Sequence, residues 1–315
     1  MTNSPFHTRE LTQCLGCGGK RLAPLPMRYE HLAHSFPAAR CLDCDLRFLR
    51  VQPVGESLAR LYWAEYFSVD YRCGRSDTHS FDEDAFRAEN SGLLERFEPL
   101  KPATGPARLL EVGCASGWLL KHASERGWQV RGVELSQHAV SHARGLGLEV
   151  VQGTLEDAKC ADGSADLIYM GDVLEHVPDC GATMREVARV LAPGGSFFLR
   201  GPITTHSLAR RVGLALYGAL GRDIILREPP YHLWEFTPRS LERLMRRVGL
   251  EVTVMEQAKI PPGRPYGKKN AAQALVMGAI DVLNVPLTRM FNAYGDRVVM
   301  VASKPRVVER RMLLA

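Results

Sequence analysis

Four cysteines arranged as two pairs carry the most specific chemistry in this chain. Cys14-Leu15-Gly16-Cys17 and Cys41-Leu42-Asp43-Cys44 are C-x-x-C knuckles with 23 residues between them. Two such pairs suit tetrahedral binding of zinc by four thiolates, and four protein ligands fill the coordination sphere, so the metal would be structural. A second constellation is Leu109 to Leu120, LLEVGCASGWLL, in which Glu111 precedes Gly113, Ala115 and Gly117 at alternate positions. Small residues between an apolar strand and a helix let a ligand approach the backbone, and in parallel α/β sheets ligands bind at that carboxyl edge. Glu134, 23 residues after Glu111, ends the next short strand. An acid there can accept both hydroxyls of a ribose. A third set is Glu175 with His176, and His232 in Tyr231-His232-Leu233-Trp234. Histidine titrates near working pH, which makes these residues the candidates for moving a proton.

Alternating strands and helices must position these groups. The pattern predicts strands ending at Glu111 and Glu134, a third over Leu148 to Val151, a fourth over Asp166 to Met170 and a fifth over Ser196 to Leu199 after the turn Ala192 to Gly195. This pace gives a doubly wound, mostly parallel α/β sheet. Helices are expected after Ser136, over Met184 to Leu191, and from Thr237 as N-cap with Pro238 in the first turn. Leu250 to Met255 and Asp296 to Ser303 read as the last strands. Two helical patterns, Leu58 to Phe67 and Phe81 to Leu100, fill the stretch before the sheet; Leu93, Leu94, Phe97 and Leu100 fall at helical spacing, and Tyr62, Tyr66, Phe67 and Tyr71 lie there too. The expected organisation is a zinc-ribbon-like module over 1–52, a helical cap over 53–104, the α/β domain over 105–305 and a tail over 306–315. The long connections Ile203 to Pro230 and Ala271 to Tyr294 are expected to form helices over the substrate side.

Acid-x-Gly-x-(Gly/Ala)-x-Gly at Glu111 to Gly117, followed by Asp172-Val173-Leu174-Glu175-His176-Val177-Pro178-Asp179 and Leu191-Ala192-Pro193-Gly194-Gly195, resembles class I S-adenosylmethionine-dependent methyltransferases of the small-molecule branch. The resemblance covers roughly residues 105–305 and implies a seven-stranded Rossmann-like methyltransferase sheet. It implies S-adenosylmethionine as cofactor, held by Glu111, Gly113, Ala115, Gly117, Glu134, Leu135, Leu155, Glu156 and Asp172, with adenine against Gly153 to Asp157. Zinc-ribbon-like segments precede this domain in proteins of polysaccharide and natural-product pathways. The implied acceptor is a sugar nucleotide or a natural-product or polysaccharide precursor, methylated on oxygen or carbon. Sugar C-methyltransferases carry a tyrosine two residues before the Glu-His pair, where this chain has Val173. Alternatives are an rRNA or tRNA methyltransferase gripping RNA with its ribbon, a lipid- or quinone-precursor O-methyltransferase at the membrane surface, and a non-catalytic cofactor-fold scaffold.

Composition narrows these classes. In 315 residues, 45% hydrophobic and 24% charged content is that of an ordinary globular enzyme, and the net charge of +5 is too small to require a nucleic acid. The ribbon carries only Lys20, Arg21, Arg28 and Arg40, and no Asn/Asp-Pro-Pro-aromatic motif follows the fourth strand, so nucleic acid is disfavoured as a partner. Met1 to Glu10 lacks the apolar core of a signal peptide, and unpaired, scattered cysteines suit a reducing cytoplasm, the expected location. The apolar-basic run Leu208 to Tyr217 allows peripheral membrane contact.

Overall fold

The computed structural model describes residues 6–61, 81–259, 280, 282 and 284–306. At the start of the chain, β1 (Thr8–Glu10) pairs antiparallel with β5 (Val51–Pro53). Between them β2 (Leu22–His31), β3 (His34–Cys41) and β4 (Arg47–Leu49) form an antiparallel meander. The β2–β3 turn is two residues, Leu32 and Ala33, both at positive φ (47° and 60°). Primed turns of this kind match strand twist and are usually built from Asn-Gly or Asp-Gly. Here the hairpin forms without that signature.

The next stretch is less helical than its periodicity predicts. Helix α1 (Glu56–Leu61) buries Leu58 and Leu61, and α2 (Glu83–Glu89) is capped by Asp82. The aromatics Tyr62, Tyr66, Phe67 and Tyr71 lie outside the described residues. The pattern expected to run from Phe81 to Leu100 breaks at Gly92 (φ 81°) into two single 3-10 turns, Leu94–Arg96 and Glu98–Leu100. Leu93, Leu94 and Phe97 are nevertheless buried, Phe97 packing 5.4 Å from Tyr169 and 5.2 Å from Phe198. Burial thus matches the spacing while the backbone does not.

The main sheet follows: β6 (Ala107–Val112), α3 (Trp118–Glu125), β7 (Trp128–Glu134), α4 (Gln137–Gly145), β8 (Val150–Gln152), β9 (Ala165–Gly171), α5 (Cys180–Val190) and β10 (Leu191–Pro202). After β10 come α6 (Leu208–Ala219), β11 (Ile224–Leu226), β12 (Trp234–Glu235), α7 (Pro238–Arg247), β13 (Glu251–Ala258), a helical stretch over residues 284–291, and β14 (Arg297–Ser303). The seven strands lie in the order β13-β14-β10-β9-β6-β7-β8, parallel except for β14, which runs antiparallel to both neighbours. Central β9 is buried from Ala165 to Met170, as a strand covered on both faces should be. The turn expected at Ala192 to Gly195 is a register shift inside β10, with Gly194 at φ 82°. Helix α7 starts as read, with Thr237 and Ser240 forming a reciprocal cap and Pro238 in the first turn.

The second sheet is not made of N-terminal residues alone. Its order is β11-β2-β3-β4-β12, so both edges come from residues 224–235, between β10 and α7. Strand β11 lies parallel to β2, pairing Ile224 with Met27, and β12 lies antiparallel to β4, pairing Trp234 with Phe48. Trp234 is fully buried against Phe48, their rings 5.8 Å apart. Residues 260–279, which include the start of the second long connection, lie outside the described residues.

Candidate functional site

The knuckles meet at the base of the five-stranded sheet. Cys14 Sγ lies 3.7 Å from Cys44 Sγ and Cys17 Sγ 3.6 Å from Cys41 Sγ, and all four sulfurs lie within 4.8 Å of one another. Zinc–sulfur bonds of ~2.3 Å place the corners of a tetrahedron ~3.8 Å apart, so the four thiols fit that ion. Gly18 takes φ 79° in the first knuckle and Asp45 φ 67° just after the second, the left-handed corners such turns need. The Cys44 side chain helps hold Cys14 down to about 6, toward the thiolate a metal requires.

At the carboxyl end of the main sheet, Glu111 and Glu134 close β6 and β7. The Gly113 and Cys114 N–H groups donate to Val133 O, which locks the loop to the neighbouring strand. Gly113 (φ 73°), Ala115 (φ 45°) and Gly117 (φ 85°) carry the chain through left-handed corners. The space beside the glycines is already taken. A Cβ on Gly113 would meet Val173 Cγ2 at 2.4 Å, and one on Gly117 would meet Ala143 Cβ and Leu148 Cδ1 at 2.8 Å. Both glycines therefore serve close packing of strand, helix and loop, in addition to the turn itself.

The two acids differ in how they are satisfied. Glu134 Oε2 accepts the Ala115 N–H (3.0 Å) and Oε1 the Ser136 N–H (2.9 Å). A carboxylate has about four acceptor sites, so capacity remains for hydroxyls. Glu111 is buried, and its Oε2 has no hydrogen-bond partner among the described residues. Burial, then the neighbouring Glu134, push its carboxyl well above the usual range. An orphaned buried acid beside an open loop fits a cationic ligand, as the sulfonium and ammonium groups of S-adenosylmethionine are.

The other expected contacts are scattered. Leu135 is exposed, while Leu155 is buried in the core. Glu156 accepts from the Thr183 hydroxyl at 3.1 Å. The Asp172 carboxylate is held by both Nη atoms of Arg297, and its backbone takes φ 57°. Burial alone would raise Asp172, but Arg297 holds it below the usual range.

The proton-handling residues are brought together across 57 residues of sequence. The His176 and His232 rings lie edge to face at 4.9 Å, and His176 Nε2 is 3.7 Å from Glu175 Oε1. Ligand atoms of Glu175, His176 and His232 all lie within 4.8 Å of one another. His176 Nδ1 donates to Tyr231 O (2.9 Å), which directs Nε2 toward the cluster. Burial, then the His232 charge, lower His176 to about 3, so it is neutral at working pH. Burial and Asp172 raise Glu175 to about 7. His232 moves the other way: burial would lower it, but Glu235, Glu175 and Asp172 together raise it. Glu235 was not apparent in the sequence. It lies on two-residue strand β12, buried, with Oε1 3.7 Å from His232 Nδ1, and no periodicity marks so short a strand.

Several known proteins are similar to this chain. A ubiquinone biosynthesis O-methyltransferase of Xanthomonas oryzae pv. oryzae is 34% identical over 154 residues, which are 46% of this chain and 63% of that protein. The enzyme of that name from Azoarcus sp. is 31% identical over 156 residues, 46% of this chain and 64% of that protein. The chain thus spans less than two thirds of these curated relatives. A solved S-adenosylmethionine-dependent methyltransferase from Archaeoglobus fulgidus superposes over 72% of this chain and 97% of its own, with a TM-score of 0.48 and 16% identity. The sequence profile of the family described as a methyltransferase domain matches residues 81–254, more than half of the chain and the whole stretch from α2 to the middle of β13. The chain belongs to the methyltransferase-domain family.

Proposed function

We propose that this protein transfers the methyl group of S-adenosylmethionine to a hydroxyl oxygen of a small-molecule acceptor. The observation that carries this reading is the gathering of Glu175, His176 and His232 within 4.8 Å, on the loop after β9 and the segment that faces it. One oxygen 2.8 Å from each of two atoms can bridge a gap of ~5.6 Å, so a single hydroxyl can touch two members of the cluster. The bound cofactor supplies an already activated methyl group for in-line displacement. Glu134 would accept its ribose hydroxyls, and Glu111 would face its positive charge. Neutral His176 orients the acceptor hydroxyl through Nε2. His232, neutral above its titration midpoint, takes the proton as the oxygen attacks, and the carboxylates around it stabilise the imidazolium that forms.

Oxygen as the acceptor atom follows the activity for which the curated relatives are named and the presence of histidines suited to hydroxyl deprotonation. A sugar nucleotide, a natural-product phenol and a quinone precursor all offer such a hydroxyl. A small molecule is favoured over RNA because the ribbon's arginines are committed: Arg21 to Asp43, Arg28 to Asp223 and Glu30, and Arg40 to Asp45. The zinc is structural in this reading. It holds the five-stranded sheet, whose edges reach the acceptor side. The test is release of S-adenosylhomocysteine with a panel of phenols, quinols and sugar nucleotides, using the His176→Ala and His232→Ala variants. Each should cut turnover about 10²- to 10⁴-fold with cofactor affinity hardly changed. Near-normal turnover in both would leave proximity alone and remove the base.

One observation favours a lipid-side acceptor. Val212, Leu216 and Leu220 are exposed along one face of α6 and its C-terminus, next to Arg211 and Arg222. Such a stripe suits an interfacial helix, and among the described residues no helix is long and apolar enough to cross a membrane. Cosedimentation with anionic vesicles, lost on Val212→Ser with Leu216→Ser, tests it.

A further inference from the structure

The segment bearing His232 is clamped between the two sheets. On one side, the Leu49 N–H donates to Leu233 O (3.0 Å) and β12 pairs with β4, setting Glu235 opposite Arg47. On the other, the Leu233 and Trp234 N–H groups both donate to Glu175 O (2.9 and 3.1 Å), and Trp234 Nε1 donates to Val177 O (2.6 Å). The clamp also holds the Glu235 side chain. Its Oε2 accepts the Thr205 N–H at 3.3 Å, while buried Arg47 Nη1 donates to Thr205 O. The other oxygen of this carboxylate, Oε1, lies 3.7 Å from His232 Nδ1, within ion-pair distance.

From this arrangement we infer that Glu235 is the positioning residue of His232: its charge faces the Nδ1 side, favours the proton on Nδ1 so that Nε2 is left for the acceptor, and stabilises the imidazolium. The inference rests on the reading of His232 as base and adds the element that sets it. A buried carboxylate behind a histidine is a recurring device, because it selects one tautomer and favours the charged form. The strand that carries it is an edge of the zinc-bearing sheet, so the ribbon forms one wall of the catalytic centre. Burial alone would raise Glu235, yet His232, Arg210 and the Thr205 N–H keep it below the usual carboxylate range, as expected of a carboxylate that stays charged beside an imidazole. The other charged groups around the pair are Asp172, Glu175 and His176 from the loop after β9, with Arg297 of β14 and Arg210 of α6 behind them. Glu235 pairs with His232 from the same segment, three residues away.

The test needs no knowledge of the acceptor. Imidazole nitrogen NMR of the full-length, zinc-loaded protein, with the His232 signals assigned by their loss in His232→Gln, reads both tautomer and titration midpoint. In the native protein, neutral His232 should carry its proton on Nδ1. In Glu235→Gln the midpoint should fall by about 1, as expected for loss of one nearby carboxylate, with the thermal midpoint little changed; Glu235→Asp should restore most of it. A neutral ring protonated on Nε2 in the native protein overturns the proposal, and that reading stands even where a variant fails to fold. An unchanged midpoint in a folded Glu235→Gln protein also overturns it. If the midpoint falls as expected but His232→Ala leaves methyl transfer intact, the pair stands and the base reading fails. If the midpoint does not move, the pair fails whatever methyl transfer does.

Discussion

The seven-stranded sheet draws its strands from one continuous stretch, residues 107–303, whereas the five-stranded sheet joins residues 22–49 to two short strands taken from residues 224–235. In the first, helices join β6 to β7, β7 to β8 and β9 to β10, and its ligand groups sit at strand ends. In the second, four cysteines gather at the base of the meander and its edges pair with two short strands that follow β10 in sequence. The cofactor side therefore depends on local turns, and the acceptor side on the docking of two sheets. A perturbation of the small sheet should reach the acceptor cluster before it reaches Glu111 and Glu134.

Removal of zinc is the strongest way to test that separation. Structural zinc contributes ~10 kcal/mol or more to small ribbon-like modules. Purified protein should hold close to one zinc per chain, and chelation or Cys14→Ser with Cys41→Ser should melt the five-stranded sheet and abolish turnover. S-adenosylmethionine affinity, measured by calorimetry, should fall far less. Equal loss of both would show that the two sheets behave as one unit.

Trp234→Ala attacks the same boundary without touching metal. It deletes a fully buried side chain and should destabilise the protein by roughly 3 to 5 kcal/mol, with retained zinc. A denaturation midpoint within error of the native value would mean that β12 does not support the fold.

Glu175 gives a pH signature on the acceptor side. Burial and Asp172 raise it from its ordinary 4.5 to about 7 in the folded chain, so between those values the folded state holds a proton that the unfolded state has lost. Stability of the ligand-free protein should fall as pH rises through that window. Glu175→Gln should flatten the dependence and stabilise by up to about 3 kcal/mol at pH 8. Parallel pH curves for the two proteins would refute this.

The smallest effect belongs to the cofactor side. Glu134→Ala should weaken S-adenosylmethionine binding by roughly 1.5 to 3 kcal/mol through loss of charge-assisted hydrogen bonds, leaving His232 titration unchanged. Unaltered affinity would remove Glu134 from the site.

What the sequence made legible follows the same division. Glu111, Glu134 and the glycines between them could be read because strand, turn and helix occupy adjacent residues. The knuckles could be read because metal ligands keep strict spacing. His176 and His232 were candidates by position alone, and the structure brings them into contact. The Leu32-Ala33 turn lacks the residues that normally announce it, so the meander gave no sign. Strands β11 and β12 are three and two residues long, too short for any period, and their partners are remote in sequence. Glu235 was invisible for that reason. At Gly113 the sequence showed the need for a small residue, but not that Val173 fills the space beside it.

The borrowed edges also bear on how the chain is made. During synthesis from the N-terminus, β2, β3 and β4 emerge early and can bring their four cysteines together, but both edges of their sheet stay open for ~190 residues, until Ile224 to Glu235 are available. Open strand edges are templates for pairing with other chains. Arg28, opposite Ile225 on β2, and Arg47, opposite Glu235 on β4, put charge on those two edges, the kind of residue that deters such pairing. The nascent ribbon is thus partly shielded while it waits, and the arrival of β12 completes the small sheet as it sets His232 and Glu235 in place.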